Sequence, residues 1–169
     1  MKGKLLLAIS IFYLFMVVCA NAQVVAVSCI ENEHIEKTPS DVTLYFENEL
    51  LASLFDEGLI VTSLPYKKES VEDFKKTQIN SLQFESEPDF VALIYFMYDE
   101  NKKYDEFRRK NLLPCTQILC RVIALREDIE LEKCDFAFTD IEEKVMFKKV
   151  DFCFLKIKEI ILKSIRRKV

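Results

Sequence analysis

Few residues of this chain carry the chemistry of a metal or nucleophile site. His34 is the single histidine, and it lies in a polar stretch beside Glu31, Glu33 and Glu36. These side chains would form a metal site, or His34 would act as a general base, if the stretch folded around them. The alternative is a solvated loop residue. Zinc sites use three or four ligands at defined spacing, and the chain has neither a C-x-x-C nor an H-E-x-x-H motif. We therefore expect no metal and no cofactor.

A cysteine–histidine nucleophilic pair would also have to use His34. Cys29 is five residues away, but it lies on a predicted buried strand. Burial raises the pKa of a thiol and makes it inert. We therefore expect no catalysis from this pair.

Cys120 and Cys134 lie on two consecutive predicted strands. If a three-residue turn joins these strands, the two cysteines are directly opposed, at a Cα separation that suits a disulfide. With a four-residue turn, Cys120 faces Asp135 instead. We hypothesise a cross-strand disulfide. The alternative is a buried apolar row in which Cys134, Phe136 and Phe138 share one strand face.

Several common enzyme classes are excluded by missing motifs. The chain has no G-x-S-x-G motif, so it is not a serine hydrolase of the usual kind. Gly3 and Gly58 are its two glycines, so neither a P-loop nor a G-x-G-x-x-G loop is possible. Paired carboxylates stay open, because acids are plentiful and their distances in space are invisible in a sequence. We expect no enzyme, with a small secreted hydrolase using paired carboxylates as the alternative.

The charged segment from Asp99 to Lys110 contains two aromatic residues, Tyr104 and Phe107, followed by Arg108 and Arg109. Aromatic and arginine side chains dominate the binding energy of interfaces. Long loops also carry function more often than the elements they connect. We predict that these four residues bind a partner protein. A solvated loop or a short surface helix is the alternative.

The first 22 residues have the order of a secretory signal peptide. Lys2 and Lys4 are followed by an almost wholly apolar run from Leu5 to Val18, and Ala20-Asn21-Ala22 supplies the small residues of a cleavage site. The apolar run is shorter than the roughly 20 residues of a membrane span. We predict cleavage after Ala22 and export to the periplasm or the medium.

Two other interpretations of this segment stay open. Residues 5–20 could remain as an uncleaved inner-membrane anchor, which would be the protein's one contact with a membrane. Alternatively, Cys19 could be a lipid-modified N-terminus, although Met16-Val17-Val18 lacks the small residue expected just before such a cysteine.

Residues 23–169 have the size and composition of a single domain. Half of the chain is hydrophobic and 31% is charged, which excludes disorder. Removing residues 1–22 takes away two lysines and no acid, so the formal charge falls from −4 to −6. A net acidic domain is unsuited to nucleic acid, so we expect no nucleic-acid partner.

The pattern of apolar and punctuating residues predicts five strands and three helices. Ser40 caps the first helix and Gly58 ends it. The expected core face of this helix consists of Leu44, Leu51 and Phe55, with Leu50 and Leu54 beside them. Ser70 begins a second helix with a stripe of Val71, Phe74, Gln78 and Leu82 that ends before Glu87-Pro88-Asp89. A Thr139-x-x-Glu142 capping box begins the third helix, whose core face is Val150, Phe154, Ile157, Ile161 and Ile165. The predicted strands are Val24 to Ile30, Leu59 to Leu64, Phe90 to Tyr98, Thr116 to Leu125 and Glu130 to Phe138.

The order of these elements, β-α-β-α-β-β-β-α, predicts an α/β fold. The first three strands are joined through helices and should be parallel, whereas the short connection between the last two strands implies an antiparallel hairpin. Phe90 to Tyr98 has no polar alternation and should lie at the centre of the sheet. We predict a mixed five-stranded sheet with helices packed on it.

This order and its punctuation resemble a group of bacterial envelope domains. The group comprises the α/β domain of the curli-secretion pore protein, the activator lipoproteins of penicillin-binding proteins, and the N-terminal domain of the Tol-system β-propeller protein. The resemblance rests on the VVAVSCI strand, the helix–Gly58–strand step, Pro88-Asp89-Phe90 before the central strand, and a strand pair before a terminal helix. A convincing lipid-attachment cysteine and a glycine near the end of the central strand are missing. The resemblance implies a non-enzymatic protein–protein interaction module of the cell envelope, with another envelope protein as its partner.

Overall fold

A computed structural model of the chain describes residues 23–33, 39–77, 84, 87–99, 114–138 and 143–168. The elements in chain order are β1 (Val24–Asn32), α1 (Asp41–Asp56), β2 (Ile60–Ser63), β3 (Lys67–Glu69), α2 (Val71–Lys76), β4 (Phe90–Tyr98), β5 (Cys115–Ala124), a 3₁₀ turn (Leu125–Glu127), β6 (Ile129–Ala137) and α3 (Glu143–Arg166). The predicted α/β class is confirmed.

The strands form one mixed sheet in the order β2-β1-β4-β5-β6. β1 pairs in parallel with β2, β3 and β4, whereas β5 and β6 form antiparallel pairs at the other end of the sheet. β4 lies at the centre and is buried along almost its whole length, as its apolar sequence predicts.

The sheet has six strands instead of the predicted five, because its β2 edge is interrupted. β2 pairs with the first half of β1 and β3 with the second half, so the two strands continue one edge. Pro65 lies between them and has no backbone N–H to donate to a strand ladder. The sequence correctly predicts a stop at Pro65, but pairing resumes two residues later.

Helices cover both faces of the sheet, and the two apolar clusters follow the strand alternation. On one face, Val25 and Val27 of β1 pack with α1 and α3. On the other face, Ala26 and Ile30 pack with Phe74 of α2. The chain therefore forms three layers around a central sheet.

The third helix buries the predicted side, whereas the second is shorter than predicted. Val150, Ile157, Ile161 and Ile165 of α3 are buried, with Phe154 partly buried beside them. Its predicted capping box at 139–142 lies outside the described residues. α2 ends at Lys76, and Gln78 and Leu82 of the expected stripe lie outside the described residues.

The predicted core face of α1 is wrong at Leu44 and Phe55, whereas Leu50 and Leu54, predicted beside it, are buried. The residues that α1 buries are Val42, Thr43, Phe46, Leu50 and Leu54. Leu44 and Phe55 lie on the exposed side instead, and Leu51 is partly buried. The helix carries two apolar stripes, and packing against β1 and α3 selects the larger one.

Candidate functional site

The N-terminus of α1 is fixed by buried hydrogen bonds at the end of β1. The chain places β2 on one side of β1 and β4 on the other, which makes the carboxyl end of β1 a topological switch point. Glu31 is fully buried there, accepting a hydrogen bond from the backbone N–H of Ser40 at 2.8 Å and another from the Tyr66 hydroxyl. Both carboxylate oxygens are therefore occupied by groups of the protein.

A second layer of hydroxyl groups completes this cluster. The Tyr98 hydroxyl lies 2.5 Å from Ser40 Oγ and 2.7 Å from Thr43 Oγ1, and Ser40 Oγ accepts the backbone N–H of Thr43. Burial raises the pKa of Tyr98 well above its ordinary value. Burial and the hydrogen bond to Glu31 also raise the pKa of Tyr66. These phenols stay protonated and hold α1 in place rather than exchanging protons.

The C-terminus of α1 is fixed as firmly. Gly58 has a φ of 84°, and its N–H donates to the Phe55 carbonyl at 2.9 Å. The Leu59 N–H reaches back to the Leu54 carbonyl at 3.3 Å, and Leu59 packs against the same apolar cluster as Leu54. This pair of bonds is the Schellman motif that the sequence predicts at Gly58.

Contacts with α3 fix the flank of α1. The Tyr45 hydroxyl donates to Asp151 at 2.9 Å, and its ring meets Phe147 edge-on at 6.0 Å. At the helix end, Glu57 forms ion pairs with Lys158 at 3.0 Å and Arg166 at 3.5 Å. Therefore α1 is held at both ends and along one side.

The opposite flank of α1 presents apolar side chains to solvent. Leu44, Leu51 and Phe55 recur at helical spacing, and we call these three residues the α1 stripe. Phe55 is 68% exposed and Leu44 42% exposed. Glu47, next to them around the helix, bonds to Ser63 on β2, so the stripe lies toward the β2 edge of the sheet. A rigid apolar surface of this kind is the chemistry of a protein-binding site.

A second exposed apolar area lies on α3, toward the other end of the sheet. Phe152 is 56% exposed and Leu155 60% exposed. The Phe152 ring meets Phe136 of β6 edge-on at 6.4 Å, which covers part of both rings. This area is about as exposed as the α1 stripe, and what distinguishes the stripe is that α1 is fixed at both ends.

A groove of about 560 Å³ lies between α2 and the outer strands, with Lys75, Lys133 and Asp135 among its lining residues. Arg121 also lines this groove, bonding to Glu130 at 2.5 Å and to the Phe74 carbonyl at 2.8 Å. Arg121 is therefore occupied in fastening α2 to the sheet.

The strand register brings Cys120 and Cys134 directly opposite each other, and both are free thiols. The connection is the four-residue turn 125–128, which alone would shift the register. Leu131 is an extra, unpaired residue in β6, and this bulge restores the Cys120–Cys134 register. The disulfide between them stays a prediction. Cys29 is buried and its pKa is raised by burial, as the sequence predicts.

The predicted binding residues Tyr104, Phe107, Arg108 and Arg109 lie outside the described residues, as does His34. Within the described ranges, no group of three or more His, Cys, Asp or Glu side chains is placed to hold a metal ion. In that same part of the chain, no helix has the length and apolarity to cross a bilayer.

Sequence reasoning missed the Glu31 cluster and the outward direction of the α1 stripe. Glu31 resembles its neighbours Glu33 and Glu36 in sequence, and only the fold buries it. The α1 stripe could have been found from the sequence. Apolar residues lie on two sides of α1, and packing against the core buries only one side.

The chain matches no curated protein, but it is similar to several solved structures. A lipoprotein from Neisseria meningitidis is 13% identical with a TM-score of 0.40, covering 82% of this chain and 99% of that one. A hypothetical protein from Chlamydia trachomatis is 11% identical with a TM-score of 0.39, covering 85% and 95%.

A DUF330-family protein from Xanthomonas campestris is 9% identical with a TM-score of 0.37, covering 85% of this chain and 81% of that one. At such values these similarities assign no activity and no partner to the chain. The resemblance to the curli, penicillin-binding-protein activator and Tol-system domains stays a prediction. Residues 24–166, a span that takes in every described strand and helix, match a family model described as "Uncharacterised protein", and the chain belongs to that family.

Proposed function

We propose that this chain is an exported, non-enzymatic interaction module of the bacterial cell envelope, which binds another envelope protein through the α1 stripe. The observation that carries the proposal is the 68% exposure of Phe55 on a helix that is fixed at both ends. Large apolar side chains on a rigid exposed flank are typical of partner-binding surfaces.

The energetics favour this surface as a site. Burying one large apolar side chain contributes roughly 1.5–3 kcal/mol. Binding also costs free energy, because side chains and backbone segments that are mobile in the free protein become ordered. Because the Glu31 cluster, the Gly58 end and Tyr45 already hold α1, little of that cost falls on the helix backbone. A partner therefore gains most of the burial energy.

The envelope location is supported by residues 1–22, whose basic, apolar and small-residue regions follow the order of a signal peptide. The charged segment with Tyr104, Phe107, Arg108 and Arg109 is the second part of the proposed interface. The paired-carboxylate hydrolase gains no support, since the one fully buried carboxylate of the described residues is Glu31 and both its oxygens are bonded.

Affinity capture from bacterial envelope fractions tests the proposal. The test variant is Leu44→Ser/Phe55→Ser, and the matched control is Leu155→Ser, which removes an equally exposed apolar residue from α3. We expect a discrete partner with the wild type and with the control, and at least a tenfold weaker capture with the double variant. Thermal unfolding of all three proteins checks that the folded fraction is equal.

Two results would overturn the proposal. Equal capture of the partner by the double variant and the wild type would show that the binding site does not lie on the α1 stripe. If replacing Tyr104 and Phe107 by serine then abolished capture, the interface would lie on the charged segment alone. Loss of capture with Leu155→Ser but not with the double variant would place it on α3.

A further inference from the structure

The five described cysteines all belong to the apolar cluster on one face of the sheet. Cys29 of β1 is in register with Ile94 of β4, Ile94 with Cys120 of β5, and Cys120 with Cys134 of β6. Cys153 of α3 belongs to the same apolar cluster. Cys120 and Cys134 are therefore neighbours on adjacent strands, whereas Ile94 separates Cys29 from Cys120.

Cys120 and Cys134 differ from the others because they are adjacent partners on antiparallel strands. Directly opposed residues of such strands have Cα atoms about 4.5–5.5 Å apart. Disulfides form at Cα separations of about 4.4–6.8 Å. Cys120 is 1% exposed, whereas Cys134 is partly exposed on β6, the edge strand of the sheet. An external reagent therefore meets Cys134 first.

The ionisation of the two thiols follows the same order. A hydrogen bond from the Cys120 thiol lowers the pKa of Cys134, so Cys134 loses its proton more readily than Cys120 does. That bond, together with burial, raises the pKa of Cys120 well above its ordinary value. The thiolate is the nucleophile in thiol–disulfide exchange.

We propose that Cys120 and Cys134 form a thiol–disulfide exchange site, in which Cys134 attacks a small-molecule disulfide and Cys120 resolves the product. In the first step, the Cys134 thiolate bonds to one sulfur of the external disulfide, and the other sulfur leaves as a thiolate that takes up a proton. In the second step, the Cys120 sulfur attacks Cys134 Sγ and breaks its bond to the small molecule, whose sulfur leaves as a thiolate and takes up the proton that Cys120 releases. The pair is oxidised by two electrons and the external disulfide is reduced to two thiols.

The competing partner for Cys134 is Cys153. The two are close enough that a charge on Cys134 raises the pKa of Cys153, to about 12 with burial as the main cause. The hydrogen bond to Cys134 and burial raise the pKa of Cys120 as well, so ionisation does not choose between Cys153 and Cys120. Cys120 is held opposite Cys134 by the ladder itself. The register therefore selects Cys120.

The site lies on the β5–β6 hairpin, and the α1 stripe lies toward the β2 edge. The inference is thus independent of the proposed function, and either can fail alone.

Oxidation of the full chain with glutathione disulfide, followed by peptide mapping under non-reducing conditions, tests the site. We expect a Cys120–Cys134 peptide in the wild type and in Cys153→Ser. In Cys120→Ala, which keeps a small apolar side chain in the core, we expect the reaction to stop at a glutathione adduct on Cys134. In Cys134→Ser, we expect glutathione to leave Cys120 unmodified.

The proposal fails if Cys120 and Cys134 remain free thiols at a large excess of glutathione disulfide. It also fails if Cys120→Ala forms a Cys134–Cys153 peptide in place of the adduct. Labelling Cys134 with iodoacetamide in the folded wild type is a second measurement that needs no variant. Labelling of Cys134 at least tenfold faster than labelling of Cys120 supports the order of attack, and equal rates contradict it.

Discussion

A buried cluster of individual side chains fixes the position of α1. Glu31 is the central one, since its two carboxylate oxygens hold the first residue before the helix and the Tyr66 hydroxyl. Tyr98 closes the same cluster through Ser40 and Thr43. A buried polar cluster is stabilising only when every member has a partner, and the main members of this one do.

Glu31→Gln should therefore destabilise the fold. One carboxylate oxygen becomes an amide NH₂ that faces a donor, either the Ser40 N–H or the Tyr66 hydroxyl, and the loss should be about 1–3 kcal/mol. Glu47→Gln is the matched control, because Glu47 accepts a hydroxyl hydrogen bond at the exposed surface, and its loss should be within about 0.5 kcal/mol. Urea unfolding measures both. Equal losses would contradict the structural role of Glu31.

Tyr95 gives a pH-dependent prediction at the same scale. Its hydroxyl donates to the Glu69 carbonyl at 3.2 Å, and burial, with nearby acidic charges, raises its pKa to about 12. The unfolded value is about 10. The tyrosine therefore stabilises the fold below pH 10, and this contribution is lost as the pH rises from 10 toward 12.

Tyr95→Phe should lower the unfolding free energy by about 1 kcal/mol at pH 7, through loss of the hydrogen bond. The difference between wild type and variant should shrink as the pH rises from 10 toward 12. Urea unfolding at pH 7 and across that window measures it. A constant difference would mean that the phenol ionises equally in both states.

At the scale of elements, the two ends of α1 were predictable from sequence and its buried face was not. Ser40 and Gly58 act through their own backbone geometry, so local residue types are sufficient to place them. Which face of α1 is buried depends on which of its two apolar stripes packs against β1 and α3. The spacing of the residues along the helix allows either stripe to do so. The disulfide register shows the same limit, because the bulge at Leu131 compensates a four-residue turn and has no signal in the sequence.

Gly58→Ala should destabilise the helix end through the backbone alone. A Cβ atom at Gly58 would have no neighbour within 4 Å, so no steric clash contributes. The cost of a positive φ for an L-residue is about 1–2 kcal/mol. Asn tolerates this conformation better, so Gly58→Asn should lose less. Thermal unfolding of the two variants gives the order, and a larger loss for asparagine would contradict it.

At the scale of the whole molecule, the sheet has a fixed centre and two different ends. The α/β class, the central β4 and the parallel-then-antiparallel order were predictable, because they follow from runs of apolar residues and connection lengths. The interrupted β2 edge and the burial of Glu31 depend on contacts between distant residues, and a single sequence does not show them.

Oxidation of the Cys120–Cys134 pair should stabilise the molecule. Closing a loop of about 15 residues restricts the unfolded chain and contributes about 3 kcal/mol. Urea unfolding of the oxidised and reduced proteins measures the difference, and Cys134→Ser should show no response to oxidation. If the oxidised wild type were less stable than the reduced protein, the geometry of the strand pair would strain the Cys120–Cys134 disulfide.

The central claim is that the α1 stripe meets another envelope protein in the cell. Site-specific photo-crosslinking in living bacteria tests it, with the reactive group at position 44 or 55, and at position 56 as control. Asp56 is exposed on the same helix turn but points to another side. We predict one discrete adduct from positions 44 and 55 and none from position 56. Adducts from all three positions, or from none, would contradict the claim.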